Sequence, residues 1–360
     1  MEQFFCKTKI ISGQDALQIL PSLHIKRLFI VADPFFYENG TVNHIAHLAH
    51  AEAVEVFHNI APDPSVTLAA EGTQALLDFR PDTLLALGGG SAMDCAKAMA
   101  YFSGSTLRFL AVPTTSGSGS EVTDFAILTH DGVKHPLVDE KLRPDMAILD
   151  GSLLSSLPKK LIAETGFDLI SHAIEAWASS GAGMLSDAMA LEALRSAFSL
   201  LHKSHAGDVS VRLALHTAAT MAGIAFSSAG LGLCHAVAHA LGGEFHIPHG
   251  RLNAVLLPAV MEIHAPVVGH RYSSLAKQLG FGTGSDTMAI RNLKNALIRL
   301  RRQLQLPEDL QQAGISPILL KEKTDALVNA ALQDACCATN PVKVEESTVR
   351  RLLDMVAGHG

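Results

Sequence analysis

The sequence predicts a two-part protein: an α/β unit over residues 1–155 followed by an all-helical unit over residues 156–360. Three observations carry this. Short apolar β-type runs alternate with helical patterns over roughly the first 150 residues, as in a parallel sheet with crossover helices. These runs cease after Asp150, and from Pro158 onward the chain is rich in Ala and Leu. Two turns rich in Gly and hydroxyl residues, 88–97 and 113–121, each follow directly on a β-type run, where open α/β sheets carry their ligand-binding loops.

Taken in order, RLFIVAD (27–33), AVEVF (53–57), TLLAL (83–87), RFLAV (108–112) and MAILD (146–150) read as strands. Each is a short apolar run bounded by polar or turn-forming residues. Helical patterns at 66–79 and 92–102 lie between them. Residues 125–138 place Asp131-Gly132 between two apolar runs, a hairpin signal. Residues 151–158 form the joint. The helical half breaks near Gly181, Gly207, Pro248 and 280–284. There is no internal repeat and no low-complexity tract.

Composition excludes several function classes. The 360 residues suffice for two ordinary domains. The formal charge is −7 without any basic run, and a nucleic-acid partner needs clustered Lys and Arg. Hydrophobic residues make up 48% of the chain and aromatics only 5%, which suits closely packed Ala/Leu helices better than a β-sandwich. No apolar stretch is expected to reach the ~20 residues of a bilayer span, so no membrane partner is expected. MEQFFCKTKI lacks a signal-peptide pattern, and Cys6, Cys95, Cys234, Cys336 and Cys337 form no CxxC pair. The reading is a soluble protein of a reducing cytoplasm.

Four residues suggest a metal site: Asp168, His172, His235 and His249. Asp168 and His172 stand four apart in TGFDLISHAIEAW, so on a helix they share one face. His235 opens HAVAHALGGEFHIPHG, which also contains His239, His246 and His249. Three imidazoles and a carboxylate suit a borderline divalent ion such as Fe(II) or Zn(II). Converged, they would hold a Lewis acid for a substrate oxygen. Any one of 18 histidines taken alone is more simply a surface or core residue; the spacing of the pair sets these apart. Cys234 precedes a ligand candidate and would project about 100° away on a helix, which favours a core role.

GGGSAMDCAK (88–97) leads from a strand into a helix. Glycines there let a backbone approach a ligand, and free N–H groups at a helix start attract phosphate; a plain tight turn is the alternative. It is not GxGxxG, and it follows the third predicted strand instead of the first. PTTSGSGSE (113–121) follows the next strand. Two such turns on successive strands would line one crevice, which points to a dinucleotide site.

GGGSAMDCAK, PTTSGSGSEVT, TGFDLISHAIEAW, HAVAHALGGEFHIPHG and the late TNP (339–341) together resemble the iron-containing (group III) alcohol dehydrogenases, in order and spacing, over almost the whole chain. The resemblance implies a dinucleotide-binding α/β domain and a helical domain, the dehydroquinate synthase-like fold, with metal and nicotinamide in the cleft between them. It places Asp168, His172, His235 and His249 on the metal-ligand positions and His239 on a further histidine beside the cleft. Gly89, Gly90, Ser91 and Asp94 fall in the pyrophosphate loop. Thr114, Thr115, Ser118 and Thr123 fall in the second cofactor-contacting stretch, where Ser118 stands for a commoner Thr. Lys134 resembles the ribose-contacting lysine. Among subfamilies the chain is most similar to the propanol dehydrogenases of propanediol-utilising microcompartments, then to ethanolamine-linked alcohol dehydrogenases and lactaldehyde reductases.

Several residues keep two readings. His239 is a proton relay, the catalytic candidate, or a packed neighbour of the metal ligands. His246 is structural or at the cleft rim. Asp33 is a helix N-cap, or the carboxylate that binds the adenosine ribose and selects NAD over NADP. Asp63 is an adenosine-side residue or a turn aspartate before Pro64. Phe125, Phe226 and Cys336 match substrate-pocket positions, or are core packing; as a pocket they would be narrow and apolar.

The resemblance thus implies an NAD-dependent alcohol dehydrogenase acting on short-chain primary alcohols and aldehydes such as propanol and propionaldehyde. Iron is its usual metal and zinc the alternative. Aldehyde reduction is the expected direction, in a homodimer associated with microcompartment shell or enzymes. The competing expectations are a zinc polyol dehydrogenase of the glycerol type and a catalytically silent interaction partner.

Overall fold

A computed structural model describes residues 4, 6–130, 133–282 and 284–358. Its first half contains β1 (Lys9–Gly13), β2 (Arg27–Ala32), α1 (Pro34–Glu38), α2 (Thr41–Ala49), β3 (Ala53–Phe57), α3 (Val66–Phe79), β4 (Thr83–Gly88), α4 (Gly90–Ser103), β5 (Arg108–Pro113), β6 (Phe125–His130), β7 (Val133–Val138) and β8 (Met146–Asp150). Six strands form one parallel sheet in the order β1-β8-β5-β4-β2-β3. β6 and β7 form a separate antiparallel pair, and the Asp131-Gly132 turn signal between them lies outside the described residues. The five expected strands are present; β1 is an addition. KIISG is only partly buried and holds just two large apolar residues, Ile10 and Ile11, so no apolar run marks it in the sequence.

Side-chain alternation along the buried strands builds two cores. Leu28, Ile30 and Ala32 of β2 face one layer with Leu20 and Ile45. Phe29 and Val31 face the other with Leu76 and Met99. A sheet covered on both sides explains why these strands read as continuous apolar runs. Chain direction reverses about β2 and β4: β3 lies outside β2, and β5 lies on the far side of β4. The C-terminal ends of β2 and β4 are therefore the topological switch point, where such sheets bind ligands.

The second half is helical: α5 (Lys159–Ala178), α6 (Met184–Ala206), α7 (Arg212–Ala229), α8 (Leu233–Phe245), α9 (His249–Gln278), α10 (Asp286–Gln303), α11 (Leu310–Ala313), α12 (Pro317–Gln333) and α13 (Glu346–Val356). No strand follows β8 among the described residues. The compact units divide between Leu157 and Pro158, and Arg212–Thr220 belongs with the α/β unit, which a single cut at 155/156 does not anticipate. The reason is local bonding. Arg212 Nη1 donates to Ser155 O at 2.8 Å, Thr220 Oγ1 donates to Glu121 Oε1 at 2.6 Å, and His216 Nδ1 lies 3.1 Å from Ser116 Oγ.

Two helical stretches, Val209–Ala229 and His249–Gln278, do reach the length and hydropathy of a bilayer span, against the expectation that none would. Of their most apolar windows, 61% and 56% are buried inside the protein, so much of that apolar character belongs to the core.

Candidate active site

α5 is buried along nearly its whole length. On such a helix the informative residues are its buried ionisable ones: Glu164, Asp168, His172 and Glu175. Asp168, His172 and Glu175 repeat at helical spacing and share a face. α9 approaches α5 closely at Gly250, where an added Cβ would stand 2.0 Å from Glu164 O. Arg251 clamps the same place, its Nε and Nη2 donating to Glu164 Oε1 at 2.9 and 2.6 Å. This approach carries His249 to Asp168. α8 supplies His235.

Asp168, His235 and His249 converge, their donor atoms all within 4.8 Å of one another, while His172 reaches Asp168 without joining that group. Asp168 Oδ1 lies 3.9 Å from His172 Nε2 and 3.8 Å from Nε2 of both His235 and His249. Tetrahedral ligands at ~2.1 Å from an ion stand about 3.4 Å apart, so Asp168, His235 and His249 fit a divalent ion with small adjustments, and His172 completes the set by a turn of its side chain. The donors, three imidazole nitrogens and one carboxylate oxygen, suit Fe(II) or Zn(II). Asn253 Nδ2 donates to Asp168 Oδ1 at 2.9 Å. Burial works to raise the Asp168 carboxyl, yet the facing histidines hold it well below the usual carboxylate range. Burial likewise works against a charged His235, but Asp168 and Glu175 push that imidazole up to about 9.

Two further carboxylates, not singled out in the sequence, complete the site. Glu175 Oε2 accepts from His235 Nδ1 at 2.5 Å. Asp334 Oδ2 accepts from His239 Nδ1 at 2.8 Å, and the His239 ring stacks on His249 at 4.9 Å. Helical spacing from His172 could have found Glu175. Nothing local marks Asp334, 95 residues from its partner.

The remaining helical-unit residues fall as follows. Phe226 is buried and stacks on the His172 ring at 4.3 Å, so it packs in the core and against a ligand at once. Cys336 is half-buried and groups with His239 and Asp334. Cys234 is buried, with Sγ 3.5 Å from Asn253 Oδ1, and is not in the ligand group. His246 is exposed and ends α8 in the left-handed region, φ 54°.

In the α/β unit the two turns meet at the switch point. A Cβ on Gly89 would stand 3.3 Å from the Thr115 side chain, and one on Gly90 3.6 Å from Ser118. Thr114 N donates to Gly88 O at 3.0 Å. α4 starts at Gly89 without a side-chain cap, so N–H groups of its first turn, which includes Ser91, are available to a phosphate. A cradle that side chains would fill, at a helix start, fits a pyrophosphate. Asp33 lies beside it, its N donating to Leu87 O at 2.9 Å and its Oδ1 capping α1 through Phe35 N at 3.0 Å. Asp63 and Lys134 pair at 2.7 Å.

Two expected cofactor residues are engaged within the fold. Asp94 accepts from Ser120 Oγ at 3.1 Å and Ile127 N at 3.3 Å. Thr123 Oγ1 accepts from Lys97 Nζ at 2.9 Å. That buried lysine also donates to Thr123 O and Phe125 O at 3.0 and 2.8 Å, tying half-buried Phe125 to α4. Burial lowers Lys97 to about 8 against the pull of Asp94 and Glu121.

Known proteins resemble this chain in sequence and fold. Residues 7–151 match the iron-containing alcohol dehydrogenase family model, and residues 162–357 match its C-terminal model. The chain is 39% identical to the 1-propanol dehydrogenase PduQ of Salmonella typhimurium, over 98% of this chain and 99% of that one. It is 33% identical to an NADPH-dependent butanol dehydrogenase of Clostridium saccharobutylicum, over 99% and 98%. An iron-containing alcohol dehydrogenase from Thermococcus thioreducens superposes with a TM-score of 0.92 at 32% identity, over 98% and 99% of the two chains. The chain belongs to the iron-containing alcohol dehydrogenase family and is an oxidoreductase.

Proposed function

We propose that this enzyme interconverts short-chain primary alcohols and aldehydes, with propionaldehyde reduction by NADH as its main direction. The observation that carries the reading is the convergence of three imidazole nitrogens on Asp168 Oδ1. The similarity to 1-propanol dehydrogenases supports a three-carbon substrate. When bound, an ion at this set supplies Lewis acidity toward the substrate oxygen, and the dinucleotide exchanges the hydride.

The chain's own residues do the rest. A carboxylate can only accept a hydrogen bond, so Glu175 keeps the proton of His235 on Nδ1 and leaves Nε2 to ligate. By the same rule Asp334 holds the proton of His239 on Nδ1, leaving Nε2 as the atom that gives and takes a proton. Phe226 covers one face of His172 and keeps water from it. The cradle at Gly89, Gly90, Thr115 and Ser118 takes the pyrophosphate, and the carboxylate of Asp33 disfavours a 2′-phosphate, which supports NAD over NADP. Thr114 and Ser91 shape that cradle, and the Asp63–Lys134 pair stands for the ribose side. The family resemblance of the sequence motifs extends this reading to a homodimer within a propanediol-utilising microcompartment of the cytoplasm.

The test is metal analysis of anaerobically purified protein, with a straight-chain aldehyde series assayed against NADH and NADPH. About one iron per chain and the highest kcat/KM for propionaldehyde with NADH are expected. Zinc with preferred glycerol oxidation would favour a polyol dehydrogenase. Metal-replete protein that oxidises no NADH with any aldehyde would overturn the activity.

A further inference from the structure

We infer that Glu175 sets the affinity of the metal site by fixing the ring of His235, as a positioning residue and not as a ligand. This rests on the metal-binding reading above. Glu175 is 5% exposed, and burying a carboxylate is costly unless its oxygens are satisfied. Both are spent on one place. Oε1 accepts from Cys234 N at 2.8 Å, while Oε2 accepts from His235 Nδ1 at 2.5 Å and lies 3.3 Å from His235 N. The start of α8 is built around this group: a Cβ on Gly232 would stand 3.0 Å from Glu175 Oε1 and 2.5 Å from Asn340 Oδ1.

A helix start needs acceptors but not a charge. Asn340 shows this one residue earlier, its neutral Oδ1 accepting from Leu233 N at 2.9 Å. A carboxylate on Nδ1 has a further consequence. It forces the proton onto Nδ1, leaves the Nε2 lone pair free to ligate beside Asp168 Oδ1, 3.8 Å away, and makes the ring a stronger donor to a metal.

The test compares zinc affinity, by competition with a chromogenic chelator, in chelator-stripped wild type, Glu175→Gln and Asn340→Ser. In E175Q the amide oxygen still caps Cys234 N, but the amide N–H groups face Nδ1 and move the ring proton to Nε2. Zinc binding should weaken roughly 10- to 100-fold, with the metal-free melting temperature little changed. N340S loosens the same helix start without touching His235, so it should lower the melting temperature and keep near-wild-type zinc affinity. Unchanged affinity in E175Q overturns the inference, as does equal weakening in N340S, which would assign the effect to the cap. Should E175Q fail to fold, Glu175→Asp, with the same charge on a shorter arm, takes its place: a loss of zinc affinity beyond that of N340S supports the inference, and wild-type affinity overturns it. Wild type that takes up no zinc overturns the metal site itself, a result distinct from an unchanged E175Q.

Discussion

Asp33 has one observed role, and we propose a second for the same carboxylate, selection of NAD over NADP. It caps α1 through Phe35 N and follows directly on β2 beside Gly88, where the glycine-rich turn after β4 begins. Glycine replaces an N-cap aspartate at a cost of only a few tenths of a kcal/mol, so Asp33→Gly should fold. Losing one ribose hydrogen bond and one charge repulsion, together on the order of 1–3 kcal/mol, should move the NADH/NADPH ratio of kcat/KM roughly ten- to a hundredfold toward NADPH. Steady-state kinetics with both cofactors reads this, and an unchanged ratio would leave Asp33 as a cap alone. At this scale the sequence was informative where spacing was local. Asp168 and His172 stand out because one helical turn joins them. Glu175 resembles any other acidic helix residue until the fold buries it, and Asp334 ends α12 while His239 lies in the middle of α8.

Among elements, the contact of α5 with α9 decides whether the fourth ligand arrives. The first turn of α9 holds His249, Gly250 and Arg251, and the absent side chain of Gly250 lets His249 approach Asp168. The obstacle to a larger residue is backbone, Glu164 O, so it cannot swing aside. Gly250→Ala should push the two helices apart, cost about 1–3 kcal/mol as overpacking does, and lower bound metal along with the melting temperature. Calorimetry of metal-free protein and metal analysis of the loaded form check this; full metal content would show that α9 tolerates the shift. The glycine in IPHGR reads in sequence as an ordinary helix start, because its requirement is set by a carbonyl 86 positions upstream.

For the whole molecule, the acid limit of stability should be set in part by two buried histidines, one in each unit. Burial lowers His216 to about 4, against the opposing pull of Pro113 O and Asp150. Burial lowers His264 to about 4 as well, with Glu175 opposing. The ordinary value is about 6.5. Between these values the unfolded chain binds protons that the folded chain refuses, so unfolding gains as pH falls. Stability is whole above about 6.5 and is lost between there and about 4, by roughly 3 kcal/mol per histidine at most. Denaturant titrations of chelated protein from pH 7 to 4 measure this, and His216→Asn should remove its share of the slope. A flat profile would show that neither group is held neutral.

The sequence by itself determined what local chemistry can determine: the alternation that makes a parallel sheet, the turns after β4 and β5, and the helical spacing of Asp168 with His172. These follow from periods of two and 3.6 residues and from the backbone freedom of glycine, all legible within one segment. Only the tertiary structure decided which distant groups meet. It assigned Arg212–Thr220 to the α/β unit, set Glu175 on a histidine 60 residues away, and brought three helices to one carboxylate oxygen. Those meetings depend on close packing between elements, where a single Cβ more or less decides the distance, and no spacing along the chain records them.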